Sequence, residues 1–245
     1  MDRTYANPPV PLWRLFLKMG GWWVIGLTVI LVALTFASFG NAVTAARFEA
    51  EGQPAIATVT ERYSQVSTDS DGDRTVTYYL TFAYTTAAGE AVLLNRSVPV
   101  AVYDAVQVGG AWQLRYLQSN PRRVELREGD FARGASSLRW FALAVGIGWL
   151  GLLWWVARRA VAAVRARLYG RREEAEVLRV ERSSVRVNNR YRYRLVWRDG
   201  EGTVGRSMLR READLAGYEP GAPVVVFHGL ARTWWVGDVG DRAER

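Results

Sequence analysis

Histidine and cysteine, the side chains most often used for metal binding and nucleophilic catalysis, are almost absent from this 245-residue chain. His228 is the only histidine, and there is no cysteine. A single imidazole without thiolates can build neither a histidine-rich zinc site nor a histidine-activated nucleophile. We interpret His228 as a polar residue at the end of a strand. The sequence therefore predicts no enzymatic activity, no catalytic or metal-ligating residues and no cofactor.

An aspartate recurs at every second position of one polar loop, at Asp69, Asp71 and Asp73. Such alternation is typical of a calcium-binding loop, but the EF-hand pattern also needs a glycine at its sixth position and a glutamate at its twelfth. Here Gly72 comes two positions too early, and Leu80 stands where the glutamate belongs. We predict a solvated hairpin loop and leave cation binding open. A second acidic group shows no spacing that acid–base catalysis would require and is interpreted as a solvated patch: Glu173, Glu174 and Glu176.

Arginines alternate with aromatic residues along residues 191–198. One face of this predicted strand carries Tyr191, Tyr193, Leu195 and Trp197, and the other carries Arg192, Arg194, Val196 and Arg198. Interleaved basic and aromatic side chains occur in platforms that bind single-stranded nucleic acid. A solvated strand face close to anionic lipid accounts for the same pattern, and we favour that interpretation. We therefore predict no nucleic-acid partner.

Two apolar runs without charge divide the chain into the elements that must position these residues. The first occupies residues 20–40, and the second occupies residues 140–156. A helix needs about 20 apolar residues to cross the hydrocarbon layer, so the runs predict transmembrane helices at 20–40 and 137–157. The first run could also be a cleaved signal peptide, since small residues follow at 42–46. It exceeds the usual apolar region of about 7–15 residues in such a peptide, so we favour an uncleaved anchor.

The distribution of charge predicts which side of the membrane each segment faces. The net charge of the chain is +8, but residues 41–139 carry −1 and residues 158–245 carry +7. Basic residues concentrate on the cytoplasmic side of membrane proteins. We therefore predict a multi-pass protein of a bacterial inner membrane with both termini in the cytoplasm. Residues 1–19 are then a cytoplasmic tail, and residues 41–136 are extracytoplasmic.

The second predicted span continues into a basic amphipathic helix at residues 158–172. Its apolar positions Val161, Val164 and Leu168 share one face. We expect four of its arginines to contact anionic membrane lipids, with about 1 kcal/mol each near the surface: Arg158, Arg159, Arg165 and Arg172.

Small residues four positions apart within the second span predict close helix packing. The pairs are Ala142 with Gly146 and Ala144 with Gly148, and Gly151 lies beyond them. We expect this face to pack on the first span or on another copy of the chain.

Each predicted span is followed by a small antiparallel all-β domain, at residues 54–127 and 173–240. The clearest strand signal is an alternating series of large residues, Val76, Tyr78, Leu80, Phe82 and Tyr84, which is typical of a half-buried strand. Residues 128–136 are predicted to be a linker, and residues 241–245 a tail. The predicted fold class is membrane α+β: two transmembrane helices, each followed by a barrel- or sandwich-like β-domain.

The second β-domain repeats the order of motifs in the first. Four matches carry this prediction: positions 191, 193, 195 and 197 with 78, 80, 82 and 84, Val180-Glu181-Arg182 with Thr60-Glu61-Arg62, Arg206-Ser207 with Arg96-Ser97, and Gly221-Ala222 with Gly110-Ala111. Self-similarity in the same order indicates a duplicated unit. We predict an internal repeat in which a span and its β-domain occur twice.

The repeated unit resembles the bacterial membrane proteins grouped as domain-of-unknown-function family 3592. Four stretches carry the resemblance: Ala57-Thr-Val-Thr-Glu-Arg62, the tyrosine-rich strand with its turn at Gly89, Gly110 followed by Leu114-Arg-Tyr116, and Asn120-Pro121. The second copy departs from the pattern, because residues 230–235 (LARTWW) stand where an Asn-Pro pair would be. The resemblance implies transmembrane helices joined to a compact β-domain, and it implies no activity.

These features together predict an integral membrane protein that is a non-enzymatic binding, scaffold or signal-relaying module. An unidentified protein or a second copy of the chain is the expected partner. A subunit of an oligomeric channel or transporter is the alternative, although neither apolar run contains the ionisable residues expected of an ion relay. A nucleic-acid-binding or lipid-binding module is a further alternative.

Overall fold

The computed structural model describes residues 8–70 and 72–242, and in these residues two long helices accompany two five-stranded antiparallel sheets. The α+β class predicted from the sequence is confirmed. The first half contains α1 (Leu12–Phe16), a π-helical turn (Leu17–Gly21), α2 (Trp22–Glu51), β1 (Gly52–Thr68), β2 (Arg74–Thr85), β3 (Ala91–Val98), α3 (Val100–Ala105), β4 (Ala111–Leu117) and β5 (Asn120–Glu125). The second half contains α4 (Asp130–Tyr169), β6 (Arg172–Val187), β7 (Arg190–Arg198), β8 (Val204–Arg206), a 3₁₀ turn (Glu212–Leu215), β9 (Pro223–His228), β10 (Thr233–Trp235) and α5 (Val236–Val239).

The chain divides into two compact units. One contains residues 31–70 and 72–144, and the other contains residues 8–30 and 145–242. The first sheet lies in the former unit, and the second sheet lies in the latter.

The two helical segments Leu12–Glu51 and Asp130–Tyr169 are long and apolar enough to cross a membrane. Only 11% and 6% of their most apolar stretches are buried within the chain. Large apolar side chains such as Trp23, Phe36 and Trp140 are therefore exposed. A core helix of a water-soluble protein would bury such surface, since each Å² of apolar area left in water costs about 25 cal/mol.

Both long helices extend further toward the first sheet than the apolar runs do. Helix α2 continues through residues 41–51, which contain no proline or glycine, and ends where Gly52 begins β1. Helix α4 begins at Asp130, so most of the predicted linker at 128–136 is helical. The backbone N–H of Arg127 donates to the Asp130 carboxylate over 3.0 Å, and Arg133 pairs with the same side chain at 2.5 Å. These local contacts stabilise the first turn of α4.

The first sheet has the strand order β3-β2-β1-β4-β5, with the long strand β1 at its centre. Leu80, Phe82 and Tyr84 are buried in its core, as their alternation predicted, but Val76 is exposed because the β1–β2 ribbon extends past the core. The sheet curls so that β2 and β3 reach β5. The Tyr84 hydroxyl donates to the Pro121 carbonyl, and the Arg96 guanidinium donates to the Arg122 carbonyl over 3.3 Å.

Residues at the ends of the long helices pack directly against the first sheet. The guanidinium of Arg115 in β4 donates to the Phe48 carbonyl over 2.7 Å and lies 3.8 Å from the buried carboxylate of Glu125. The ring of Phe48 stacks on that of Phe131 with centroids 5.4 Å apart. Arg123 donates to the Thr44 hydroxyl over 2.7 Å. These contacts hold β4, β5 and the adjacent ends of α2 and α4 in one packed unit.

The second sheet has the strand order β10-β9-β6-β7-β8. Val177, Leu195 and Trp197 are fully buried in its core. The β6–β7 hairpin closes through Asn188 and Asn189, which have φ angles of 52° and 60°. Asparagine tolerates this left-handed conformation, which a two-residue type I′ turn requires.

The two sheets have the same strand order. The first reads β3-β2-β1-β4-β5, and the second, read from its other edge, is β8-β7-β6-β9-β10. In both sheets the strand that comes first in the chain lies at the centre. Gly109 donates to the Val59 carbonyl and Gly221 to the Val177 carbonyl, each over 2.8 Å. These two glycines are therefore counterparts, with φ angles of 85° and 87°. The sequence match paired Gly221 with Gly110 instead, because adjacent glycines cannot be distinguished without the hydrogen bonds. Duplication of the unit stays a prediction.

Candidate anion-binding pocket

A cavity of about 510 Å³ lies beside the second sheet, and its lining is strongly basic. Eight cationic side chains face it: Lys18, Arg159, Arg192, Arg194, Arg206, Arg210, Arg211 and Arg232. Two carboxylates accompany them, Asp214 and Asp238. We refer to this cavity as the arginine pocket. Its volume falls within the range of about 300–1,000 Å³ that is typical of small-molecule sites.

Strand β7 supplies Arg192 and Arg194 because alternate residues of a strand lie on the same face. Both side chains are half-buried in the wall of the pocket. Leu195 and Trp197, on the opposite face, are buried in the core. The solvated strand face predicted from the sequence is therefore wrong for these two arginines. Val196, on the same face, is fully buried, so other parts of the chain cover this face in part.

The segment after β8 is held against β7 by hydrogen bonds at two positions. Leu195 donates its N–H to the Ser207 hydroxyl over 2.8 Å, and Ser207 returns its own N–H to the Leu195 carbonyl over 2.9 Å. Tyr193 and Arg210 exchange a pair of backbone hydrogen bonds, each of 2.9 Å. These bonds fix the main chain from which the side chains of Arg206, Arg210 and Arg211 project.

Asp238 is the only buried carboxylate among the residues that line the pocket, with 1% of its surface exposed. It accepts the Met208 N–H over 2.7 Å and two guanidinium N–H groups of Arg210 over 3.0 and 3.2 Å. Burial raises the pKa of Asp238, while Arg210 and the Met208 N–H lower it. The three donors hold one wall of the pocket together through a single side chain.

The helical residues of the pocket are positioned by a core that joins α1 and α4 to the second sheet. Leu15, Ala160 and Ala163 pack with Phe227 and Trp234 in this core. Lys18 lies in the π-helical turn that follows α1, and Arg159 directly precedes the buried Ala160 of α4. Close packing of short side chains brings both cations to the pocket.

Aromatic rings hold two further arginines at the rim. The guanidinium carbon of Arg159 lies 4.6 Å from the centre of the Trp155 ring, and that of Arg232 lies 3.8 Å from the Trp234 ring. Burial lowers the pKa of Arg232, and the nearby charges of Arg159 and Arg194 lower it further. The positive charges of the pocket thus repel one another.

Most of this positive charge has no anionic partner within the part of the chain that the structure describes. Arg210 pairs with Asp238, and Arg206 lies 3.9 Å from Glu181. Among residues 8–70 and 72–242, no carboxylate oxygen lies within 4 Å of the charged side-chain nitrogens of the other six cations: Lys18, Arg159, Arg192, Arg194, Arg211 and Arg232. The Nε atom of Arg194 is buried without a hydrogen-bond partner. A buried polar group left in this way costs about 1–3 kcal/mol, which a bound anion would offset.

The chemistry that this lining supports is anion binding. The Ser207 hydroxyl accepts from the Leu195 N–H and donates to the Met208 carbonyl over 2.9 Å. Both hydrogen bonds go to the main chain, so this hydroxyl has a structural role in the pocket wall. Among residues 8–70 and 72–242, no three His, Asp or Glu side chains lie close enough together to hold a metal ion.

The four arginines expected to contact lipid have different environments. Arg158 and Arg165 are exposed, two helical turns apart on one face of α4, whereas Arg159 lines the arginine pocket. Arg172 is not in the helix: α4 ends at Tyr169, and Arg172 begins β6 and pairs with Asp241 at 3.1 Å.

The packed face of the basic helix also differs from the predicted one. Val161 and Leu168 are exposed, Val164 is half-buried, and the buried apolar positions are Ala160, Ala163 and Ala166. Alanine allows the close approach that packing of the helix against the second sheet requires. The exposed valine and leucine lie beside Arg158 and Arg165, as expected of a helix at a lipid surface.

Among the described residues, Gly148 and Gly151 of the second span do not pack on the first span, whereas Ala142 and Gly146 are half-buried. A side chain added at Gly148 or Gly151 would meet no atom within 4 Å. Contact between the two helices in this unit instead uses the Trp149 indole, which donates to the Thr28 hydroxyl over 2.9 Å. Packing of the small residues on another copy stays a prediction.

Gly146, Gly148 and Gly151 also match the spacing of a dinucleotide-binding loop, but they lie inside α4 rather than between a strand and a helix.

His228 ends β9, where its Nε2 atom lies 2.7 Å from the Glu173 carboxylate. Glu173 also accepts the Gly200 N–H over 2.7 Å and pairs with Arg171 at 2.8 Å. This glutamate therefore has a structural role, unlike the solvated patch predicted for it, while Glu174 and Glu176 are exposed.

The aspartate loop forms the tight end of the β1–β2 hairpin. Asp69 accepts the Asp73 N–H over 3.0 Å through its side chain and the Gly72 N–H over 3.2 Å through its carbonyl. Asp71 lies outside the described residues. The hairpin position agrees with the prediction, and cation binding there stays untested.

Sequence reasoning missed Lys18, Arg206, Arg210, Arg232 and Asp238 as site residues. They belong to four separate stretches, so no local spacing relates them. The available signal was the concentration of positive charge after residue 158, which indicated a basic surface without its shape.

No protein-family model matches this chain, and a search of curated proteins finds no significant match. The resemblance to domain-of-unknown-function family 3592 therefore stays a prediction.

Proposed function

We propose that this protein is a membrane-anchored, non-enzymatic binding module of a bacterial inner membrane, and that its arginine pocket receives an anionic group of a ligand or partner. The observation that carries the proposal is the lining of the pocket, where eight cations face two carboxylates. A cluster of like charges is stable only when water or a bound anion compensates it. The module would recruit an anion-bearing partner to the membrane surface.

The membrane component of the proposal is supported by the exposure of the long helices. Their apolar stretches are almost unburied within the chain, so lipid is the natural solvent for them. The −1 charge between the spans and the +7 charge after the second span favour a cytoplasmic second sheet. The arginine pocket would then face the cytoplasm.

Cysteine labelling of spheroplasts tests this arrangement, because the natural chain has no cysteine. Ser67→Cys and Ser184→Cys replace exposed serines of the first and second sheets. Ser207 is a poor probe because it is buried. An impermeant thiol reagent should label position 67 in intact spheroplasts and position 184 only after lysis. Equal labelling of both positions from outside contradicts the arrangement, as does a chain that stays soluble without detergent.

Melting of the full-length protein in detergent tests anion binding. Tripolyphosphate or a short polyglutamate should raise the melting temperature, since a ligand that binds only the folded state stabilises it. Arg194→Gln combined with Arg232→Gln should remove the increase. Arg158→Gln combined with Arg165→Gln removes the same charge from exposed positions and serves as the control. An increase that is equal in both double variants would indicate non-specific attraction and contradict the proposal.

A further inference from the structure

The arginines that line the pocket come from separate parts of the fold. Arg192 and Arg194 come from β7, Arg206 ends β8, and Arg232 precedes β10. A guanidinium is a planar fork that pairs with two oxygens at once. A carboxylate presents only two coplanar oxygens and is saturated by one or two such forks. A tetrahedral phosphate presents three or four oxygens in different directions, so it can accept from several convergent guanidinium groups.

The unpaired charge of the pocket also favours a ligand with more than one negative charge. Six of its cations have no carboxylate oxygen within 4 Å among the described residues, and the Nε atom of Arg194 is buried without a partner. A singly charged group would leave most of these cations uncompensated. A phosphate monoester carries about −1.5 to −2 charge near pH 7.

The position of the pocket along the helices indicates where the ligand comes from. Lys18 lies two residues before the first predicted span, and Arg159 lies two residues after the second. Exposed tryptophans mark the same level, with Trp13 before the first span and Trp154 at the end of the second. Tryptophan favours the boundary between hydrocarbon and headgroups. The pocket therefore opens at the depth of the headgroup phosphates.

We propose that the arginine pocket binds a phosphate group with two or more negative charges, as in a phosphate monoester or a diphosphate, and that a membrane lipid headgroup is its source. This inference rests on the proposed function, because it assumes that the helices span a bilayer. The pocket lies apart from the exposed arginines Arg158 and Arg165, which would contact any anionic lipid through charge alone.

Nanodiscs that contain the full-length protein test the proposal. One set is made of phosphatidylcholine alone, a second includes phosphatidic acid, and a third includes phosphatidylglycerol at the same total negative charge. Lipid that remains on the protein after transfer to detergent is measured by native mass spectrometry. The wild type should retain phosphatidic acid about tenfold more strongly than phosphatidylglycerol, since one additional charge-assisted hydrogen bond contributes about that factor.

Two pocket variants and one control identify the residues responsible. Arg194→Gln with Arg232→Gln should abolish the preference for phosphatidic acid. Arg192→Gln with Arg206→Gln should do the same and serves if the first pair fails to fold. Arg158→Gln with Arg165→Gln should retain the preference. Loss of the preference in this control, or equal retention of the two anionic lipids by the wild type, overturns the proposal.

Melting of the protein in phosphatidylcholine nanodiscs with added soluble anions distinguishes a lipid headgroup from a soluble phosphate as the ligand. It also distinguishes the phosphate inference from the proposed anion-binding function. Stabilisation by pyrophosphate that depends on Arg194 and Arg232, without retention of phosphatidic acid, assigns the site to a soluble phosphate and overturns the lipid source. Stabilisation by polyglutamate alone overturns the phosphate inference but leaves the proposed anion-binding function intact. Absence of any response to the soluble anions, together with equal retention of phosphatidic acid and phosphatidylglycerol, refutes both.

Discussion

Replacement of Asp238 by asparagine tests whether one buried carboxylate holds the arginine pocket together. Asp238 is 1% exposed and accepts three N–H groups, two of them from Arg210. Asparagine keeps the size of the side chain but removes its charge and turns one acceptor into a donor. Arg210 would lose its carboxylate partner beside other arginines of the pocket.

The expected loss of stability follows from the burial of the pair. Removing one partner of a buried ion pair costs about 3–5 kcal/mol. The Arg210 side chain is 23% exposed and can be hydrated in part, so we expect a value near the lower end, about 3 kcal/mol. For a domain of this size, that loss lowers the melting temperature by more than about 10 °C.

The assay is thermal melting of the full-length protein in detergent, followed by near-ultraviolet circular dichroism of the tryptophans in the second sheet. Glu201→Gln is the matched control: Glu201 pairs with Arg171 at 2.5 Å, but both side chains are more than half exposed. The control should melt like the wild type, because water replaces an exposed partner. The comparison separates the effect of burial from that of distance.

An unchanged or raised melting temperature of Asp238→Asn would refute this reasoning. Burial raises the pKa of Asp238, and a carboxyl that were already protonated would be replaced by asparagine at little cost. The double variant Asp238→Asn with Arg210→Gln gives an independent check. If the two side chains act as a pair, its loss of stability should be smaller than the sum of the two single losses.

Two further predictions concern the second sheet. The Gly200 N–H, Arg171 and His228 lower the pKa of Glu173, so its contribution to stability is present above the ordinary glutamate pKa and is lost as the pH falls through the lowered one. Glu173→Gln should therefore melt below the wild type at pH 7 and together with it near about pH 3; a difference independent of pH would contradict the role of the charge. Gly170→Ala should prevent stable folding of the second sheet, because the added methyl group would overlap the main-chain carbonyls of Ala166 and His228. Gly151→Ala, which meets no atom within 4 Å, is its control within α4, the helix that Gly170 follows. Equal expression and melting of the two variants would contradict the packing of the chain at Gly170.

The elements that sequence reasoning predicted best are those whose signal lies in neighbouring residues. Hydropathy places the long helices because it adds over consecutive residues, and strand alternation places Leu80, Phe82 and Tyr84 in a core because successive side chains point to opposite faces. Element boundaries were less well predicted. Helix α2 continues to Glu51 through residues that are polar enough to end the apolar run but contain nothing that ends a helix.

Arg167 shows why the arrangement of the basic residues could not be predicted. In the sequence it lies within the basic segment 158–172, yet it is 8% exposed. Its guanidinium donates to the carbonyls of Val10 over 2.7 Å and Val239 over 2.8 Å. Those partners are more than seventy positions away along the chain, so only the folded chain reveals that this arginine joins distant segments.

The sequence alone determined that the chain has two charge-free apolar segments, two β-rich regions and a positive charge concentrated after the second segment. These properties depend on composition and on the spacing of near neighbours, which a linear chain already contains. Tertiary structure alone decided that Lys18, Arg159 and Arg232 share one pocket and that Asp238 is buried behind it. Long-range burial and charge pairing depend on strand register and helix packing, because both are set by the fold as a whole.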